Sequence, residues 1–82
     1  MELNKEEFET LWNIENSWQS DPAKASDGTP ESIKKYVKIF LRLDEIGLIK
    51  TEIRDGAIYG AITTEEGRKI LRNKRYEKWI PE

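Results

Sequence analysis

The sequence predicts an α+β domain with three main helices, a stub second helix and a two-stranded hairpin. Three features between Thr29 and Leu71 predict it. Thr29-Pro30 opens a helix with an apolar stripe, Asp55-Gly56 joins two short strands, and Thr63-Thr64-Glu65-Glu66, read as a capping box with Thr63 as cap, opens a closing helix. One domain is expected to span residues 1–82. A chain of this length buries only roughly 60–65% of its unfolded surface, so the core must be small.

The first helix starts at a capping box, with Asn4 as N-cap and Glu7 three residues on. Leu3 and Phe8 fall at the positions of a hydrophobic staple. Phe8, Leu11, Trp12 and Trp18 share one side, with Ile14 at its margin, and the helix is expected to stop between Trp18 and Ser20. Gln19 to Gly28 is polar and contains a proline and a glycine. It reads as loop, with at most one helical turn around Pro22 to Ser26.

In the next helix Thr29 caps and Pro30 takes the first position, where a missing N–H is no loss. Ile33, Tyr36, Val37, Phe40, Leu43 and Ile46 follow at three- and four-residue intervals, and Gly47 suits a left-handed stop. Leu48 to Arg54 alternates, placing Ile49, Thr51 and Ile53 on one face and Lys50, Glu52 and Arg54 on the other. Asp55-Gly56 fits a type I′ turn, and the return strand from Ala57 is expected to turn Ile58 and Ile62 inward. Gly67, early in the last helix, costs about 1 kcal/mol relative to alanine, so some neighbour needs its bare backbone.

Composition excludes several functions. Without cysteine there is no disulfide or thiolate chemistry, and without histidine the commonest general base and metal ligand are gone. Glu65 and Glu66 beside Thr63 and Thr64 are accounted for by capping, and no phosphate-binding glycine loop is present. The expectation is no enzyme, no catalytic residues, no metal and no cofactor. Apolar runs are far short of the roughly 20 residues that span a bilayer, and the acidic N-terminus lacks the build of a signal peptide. A cytoplasmic protein without a membrane partner is expected.

Net charge is −2, but it is unevenly placed. Met1 to Glu31 holds eight acidic and two basic residues, whereas Ser32 to Glu82 holds twelve basic and eight acidic. A local positive field binds phosphate even on a slightly acidic chain. Glu6 and Glu7 complement the positive end of the first helix dipole and need no basic partner to explain them.

Leu43-Asp44-Glu45-Ile46-Gly47-Leu48-Ile49 looks like the "Leu-x-x-Leu-Gly-Leu-Ile" junction of winged helix-turn-helix domains. Ile62-Thr63-Thr64-Glu65-Glu66-Gly67-Arg68 looks like their "Leu-Thr-x-x-Gly" helix start, padded by about one residue. With the element order, these motifs make residues 29–71 resemble that family, as found in small prokaryotic and viral transcriptional regulators. The stub second helix departs from the pattern. The resemblance implies binding of double-stranded DNA, with helix 30–46 in the major groove and a short wing at 54–57. Opposite the apolar stripe lie Ser32, Lys34, Lys35, Lys38 and Arg42. Lys34, Lys38 and Arg42 form a row suited to phosphates, with Ser32 and Lys35 placed for base edges. Lys50 and Arg54 are the expected wing contacts. The alternative is a winged-helix module that binds protein and no nucleic acid, because fold does not fix function.

The last helix, 64–80, poses a geometric problem. At about 100° per residue Trp79 lies about 180° from Ile70, and Tyr76 about 120° from it. Either the helix breaks near Asn73, with Trp79 folding back over the core, or Tyr76, Trp79 and Ile80 face a partner and form a homodimer interface.

Overall fold

A computed structural model describes residues 2–81. Asn4 caps α1 (Lys5–Asn16): its side chain accepts from the Glu7 N–H, and the Glu7 carboxylate accepts from the Asn4 N–H. Leu3 and Phe8 are both buried in the core, as the staple positions require. Asp21 caps α2 (Pro22–Ala25), the expected single turn. Thr29 caps α3 (Pro30–Glu45), and Pro30 stands first in that helix.

α3 ends in a Schellman motif. Gly47 takes φ of 84° while its N–H donates to the Asp44 carbonyl and the Leu48 N–H donates to that of Leu43. The chain turns directly into β1 (Ile49–Arg54), which pairs antiparallel with β2 (Ala57–Thr63). Asp55 and Gly56 both have positive φ, 51° and 77°, as a type I′ turn demands. α4 (Glu65–Leu71) and a 3₁₀-helix (Lys74–Trp79) complete an α+β architecture with one two-stranded sheet among the described residues.

Phe8, Leu11 and Ile14 of α1 meet Ile39, Phe40 and Leu43 of α3 in the core, which Leu48, Ile49, Leu71 and Tyr76 close. Gly67 is explained by close approach. A Cβ there would sit 2.2 Å from the Leu48 carbonyl oxygen and 2.7 Å from Thr63 Cγ2. That carbonyl accepts the Thr64 N–H, so it is not free to move away.

Four sequence expectations are corrected. α1 stops at Asn16, short of Trp18, because Asn16 and Ser17 turn their side chains back onto the Trp12 and Asn13 carbonyls of the last turn. Trp18 then leaves the helix with φ of 62° and stands 88% exposed instead of joining the apolar side.

The strand pairing carries the second correction. Glu52 pairs with Gly60 but Ile53 pairs with Ile58, so Tyr59 is an extra residue in β2. This bulge reverses the alternation of β2 beyond it. Ile62 therefore faces outward opposite Lys50, at 67% exposure, while Ala61 and Thr63 turn in beside Thr51 and Ile49.

Third, the cap of α4 is Thr64 and not Thr63. Its hydroxyl accepts from the Gly67 N–H and donates to the Gly47 carbonyl, leaving Thr63 in β2. Fourth, no single helix spans 64–80: of the two courses open to this segment, the chain takes the expected break near Asn73. Asn73 caps the 3₁₀-helix by accepting the Arg75 N–H, and this turn resolves the angular conflict between Ile70 and Trp79. No helix among the described residues is long and apolar enough to cross a membrane.

Candidate nucleic-acid interface

Phe40 and Leu43 anchor α3 in the core, which leaves its polar face to solvent with Glu31, Lys34, Lys35, Lys38, Arg42 and Glu45 exposed. The cations on this face divide into two pairs. Lys35 forms an ion pair with Glu6, and Arg42 forms one with Glu7 while also donating to the Glu2 carbonyl. Glu7 is buried, so Arg42 neutralises a carboxylate that has little water. The Glu6 carboxylate holds the Lys35 amine above its ordinary value through a hydrogen bond and its charge. Lys34 and Lys38, one turn apart, have no ion-pair partner among the described residues.

Ser32 is engaged as well. Its hydroxyl accepts the Asp27 N–H, and its own N–H donates to the Thr29 cap. Asp27 in turn accepts from the Thr29 N–H and hydroxyl, and these bonds hold its carboxyl below the usual range. Ser32 thus shapes the α2–α3 turn in addition to lying near the face it was expected to serve.

The hairpin is tied to α3 by Asp44, which accepts from both the N–H and the hydroxyl of Thr51. Those two bonds, the hydroxyl first, depress the Asp44 carboxyl. Lys50 is exposed on the outer face of β1. Arg54 donates from Nε and Nη2 to Glu52 at 3.1 and 2.8 Å and lies over the Tyr59 ring at 4.5 Å, so the turn cation is held along its own hairpin. Between α3 and the inner face of the hairpin runs a groove of about 520 Å³, lined by Ile33, Val37 and Leu41 on one side and Ile53 and Ile58 on the other.

Tyr76, Trp79 and Ile80 pack on the chain's own core. Tyr76 is buried, its ring stacks on Phe8 at 5.3 Å, and its hydroxyl accepts the Leu3 N–H. Trp79 leans on both rings, at 6.2 and 5.5 Å, and Ile80 packs beside them. No group of three metal-ligating side chains occurs among the described residues.

Sequence reasoning missed the roles of Glu6, Glu7 and Asp44. The capping box and the dipole accounted for the first two, and nothing in one sequence states which helix packs against which. Comparison with protein-family models, characterised proteins and solved structures finds no match for this chain.

Proposed function

We propose that this chain is a winged helix-turn-helix protein that binds double-stranded DNA as a transcriptional regulator. In this reading α3 is the recognition helix and the α2–α3 pair is the helix-turn-helix, with the hairpin as a short wing. The observation that carries it is the pair Lys34 and Lys38: two uncommitted ammonium groups on the exposed face of a helix whose other face is locked in the core. They suit phosphate contact, and Lys50 adds a third such cation from the hairpin. Lys35 and Arg42 contribute less than their sequence positions imply, since carboxylates of α1 already hold them.

Three uncommitted cations give a quantitative expectation. Each phosphate neutralised contributes about −0.9 to the slope of log affinity against log salt, so one copy should show about −2.7. Anisotropy of a labelled random-sequence duplex would then lose about 40-fold in affinity between about 50 mM and about 200 mM salt. Absence of binding at the lower salt would refute the reading.

A second reading is favoured by one observation, the apolar groove between α3 and the hairpin. It suits a protein-binding module whose partner lays an apolar segment against Val37, Leu41 and Ile53. Such a contact, unlike phosphate binding, would change little over the same salt range.

A further inference from the structure

β2 has a free edge, and the phase of the strand pairing fixes which groups lie on it. The Thr51 N–H points away from β2, to Asp44, whereas the Thr64 N–H donates across to the Leu48 carbonyl. Main-chain bonding alternates along an antiparallel pair, so Lys50–Ile62 and Glu52–Gly60 are the bonded pairs. The N–H and C=O groups of Ala61 and Thr63 therefore point away from β1. β1 is the only strand beside β2 among the described residues, and neither main chain nor side chain there bonds to these four groups. Thr63 is only 6% exposed, and its buried hydroxyl has no partner either. Buried main-chain groups are nearly always paired, and this edge is where the fold leaves them open.

The edge opens into a cleft of about 730 Å³ whose far wall is the end of α1 and the residues after it, Glu15, Asn16, Trp18 and Ser20. We propose that this cleft takes an extended peptide segment of a partner protein, which adds to β2 as a third strand. A peptide main chain matches the unpaired edge group for group, because Ala61 and Thr63 stand at the two-residue spacing with which an added strand bonds. Such a strand lies about 4.8 Å from β2. The α1 wall leaves room on that side for a single chain and not for the edge of a second folded sheet, which excludes pairing of β2 with its own copy. Every second side chain of the segment would lie beside the outward-turned Ile62, with the exposed ring of Trp18 at the cleft mouth to cover it. The two charged residues of the lining, Glu15 and Arg68, bind each other at 3.5 Å, so the segment is uncharged where it crosses them. The first turn of α1 meets α3 while its last turn lines the cleft, so an added strand leaves the polar face of α3 open. The site is thus separate from the DNA-binding one, and its test contains no nucleic acid.

A random decapeptide library displayed on phage should yield binders when selected on the full chain. Enriched peptides should be rich in β-branched and aromatic residues at alternate positions, with few charges and no proline. With the best peptide bound, hydrogen exchange of the Ala61 and Thr63 amides should slow about 10-fold or more. Methylating the peptide's main-chain nitrogens one at a time should weaken binding about 10-fold at every second position and little at those between. Ala61→Pro removes an edge N–H and should abolish binding. Trp18→Ser removes a side chain already in water, so it should stay folded by far-UV circular dichroism yet bind the peptide several-fold more weakly; it carries the test if the proline variant does not fold. A library that yields no binder, a binder that leaves both amides unprotected, or methylation that acts alike at adjacent positions would each overturn the proposal. So would a protein that dimerises without peptide and protects the same two amides by doing so.

Discussion

Along one helix, α3, four cations with similar sequence surroundings meet two different fates. Lys35 and Arg42 lie on the edge that faces α1 and are held by Glu6 and Glu7. Lys34 and Lys38 lie on the far edge and remain in solvent. The difference shows that a cation's availability to a ligand is a tertiary property. It depends on whether a neighbouring element already offers a carboxylate, and here the acidic first turn of α1 does the sorting.

The largest expected effect comes from breaking the better-buried pair. Arg42→Ala would leave the Glu7 carboxylate buried with only the Asn4 N–H. It should cost about 1–2 kcal/mol, less than a fully buried pair because Arg42 is half exposed. Lys35→Ala should cost less than about 1 kcal/mol, as exposed pairs do. Equal losses in urea unfolding for the two variants would remove the distinction between them.

Next is the acid on the same helix. Asp44 has a folded pKa below its ordinary 3.8, so the stability it lends is fully present above that value. It is lost as pH falls from there through the depressed folded value. The gap in urea midpoint between wild type and Asp44→Asn should therefore be constant from pH about 5 to about 7 and shrink below about 3.8. A gap that widens in acid would contradict the assignment.

The smallest effect on stability should come from Glu6→Gln, which releases Lys35. If Lys35 then reaches a phosphate, the salt slope of DNA binding should steepen by about 0.9. An unchanged slope would place Lys35 away from the DNA.

Much of the fold was legible because its signals are local. Asn4, Thr29-Pro30, Gly47 and Asp55-Gly56 each act through their own backbone or one three residues away, and each does what its chemistry predicts. Gly67 was legible as an anomaly, although only the approach of the Leu48 carbonyl gives its reason. Trp18 and Ile62 were misplaced by extending a periodicity past the point where it ends, at the side-chain bonds of Asn16 and Ser17 and at the Tyr59 bulge. The candidate site was legible as a row of cations. Which of them are free was not, because the α1–α3 pairing joins residues about thirty positions apart in sequence.

The most direct measurement is the salt dependence of duplex binding for two double variants beside the wild type. Lys34→Ala with Lys38→Ala should flatten the slope by about 1.8, whereas Lys35→Ala with Arg42→Ala should leave it nearly unchanged under conditions where that variant is folded. If the second pair flattens the slope and the first does not, the sorting of cations by α1 is wrong and the DNA-facing edge of α3 is the other one.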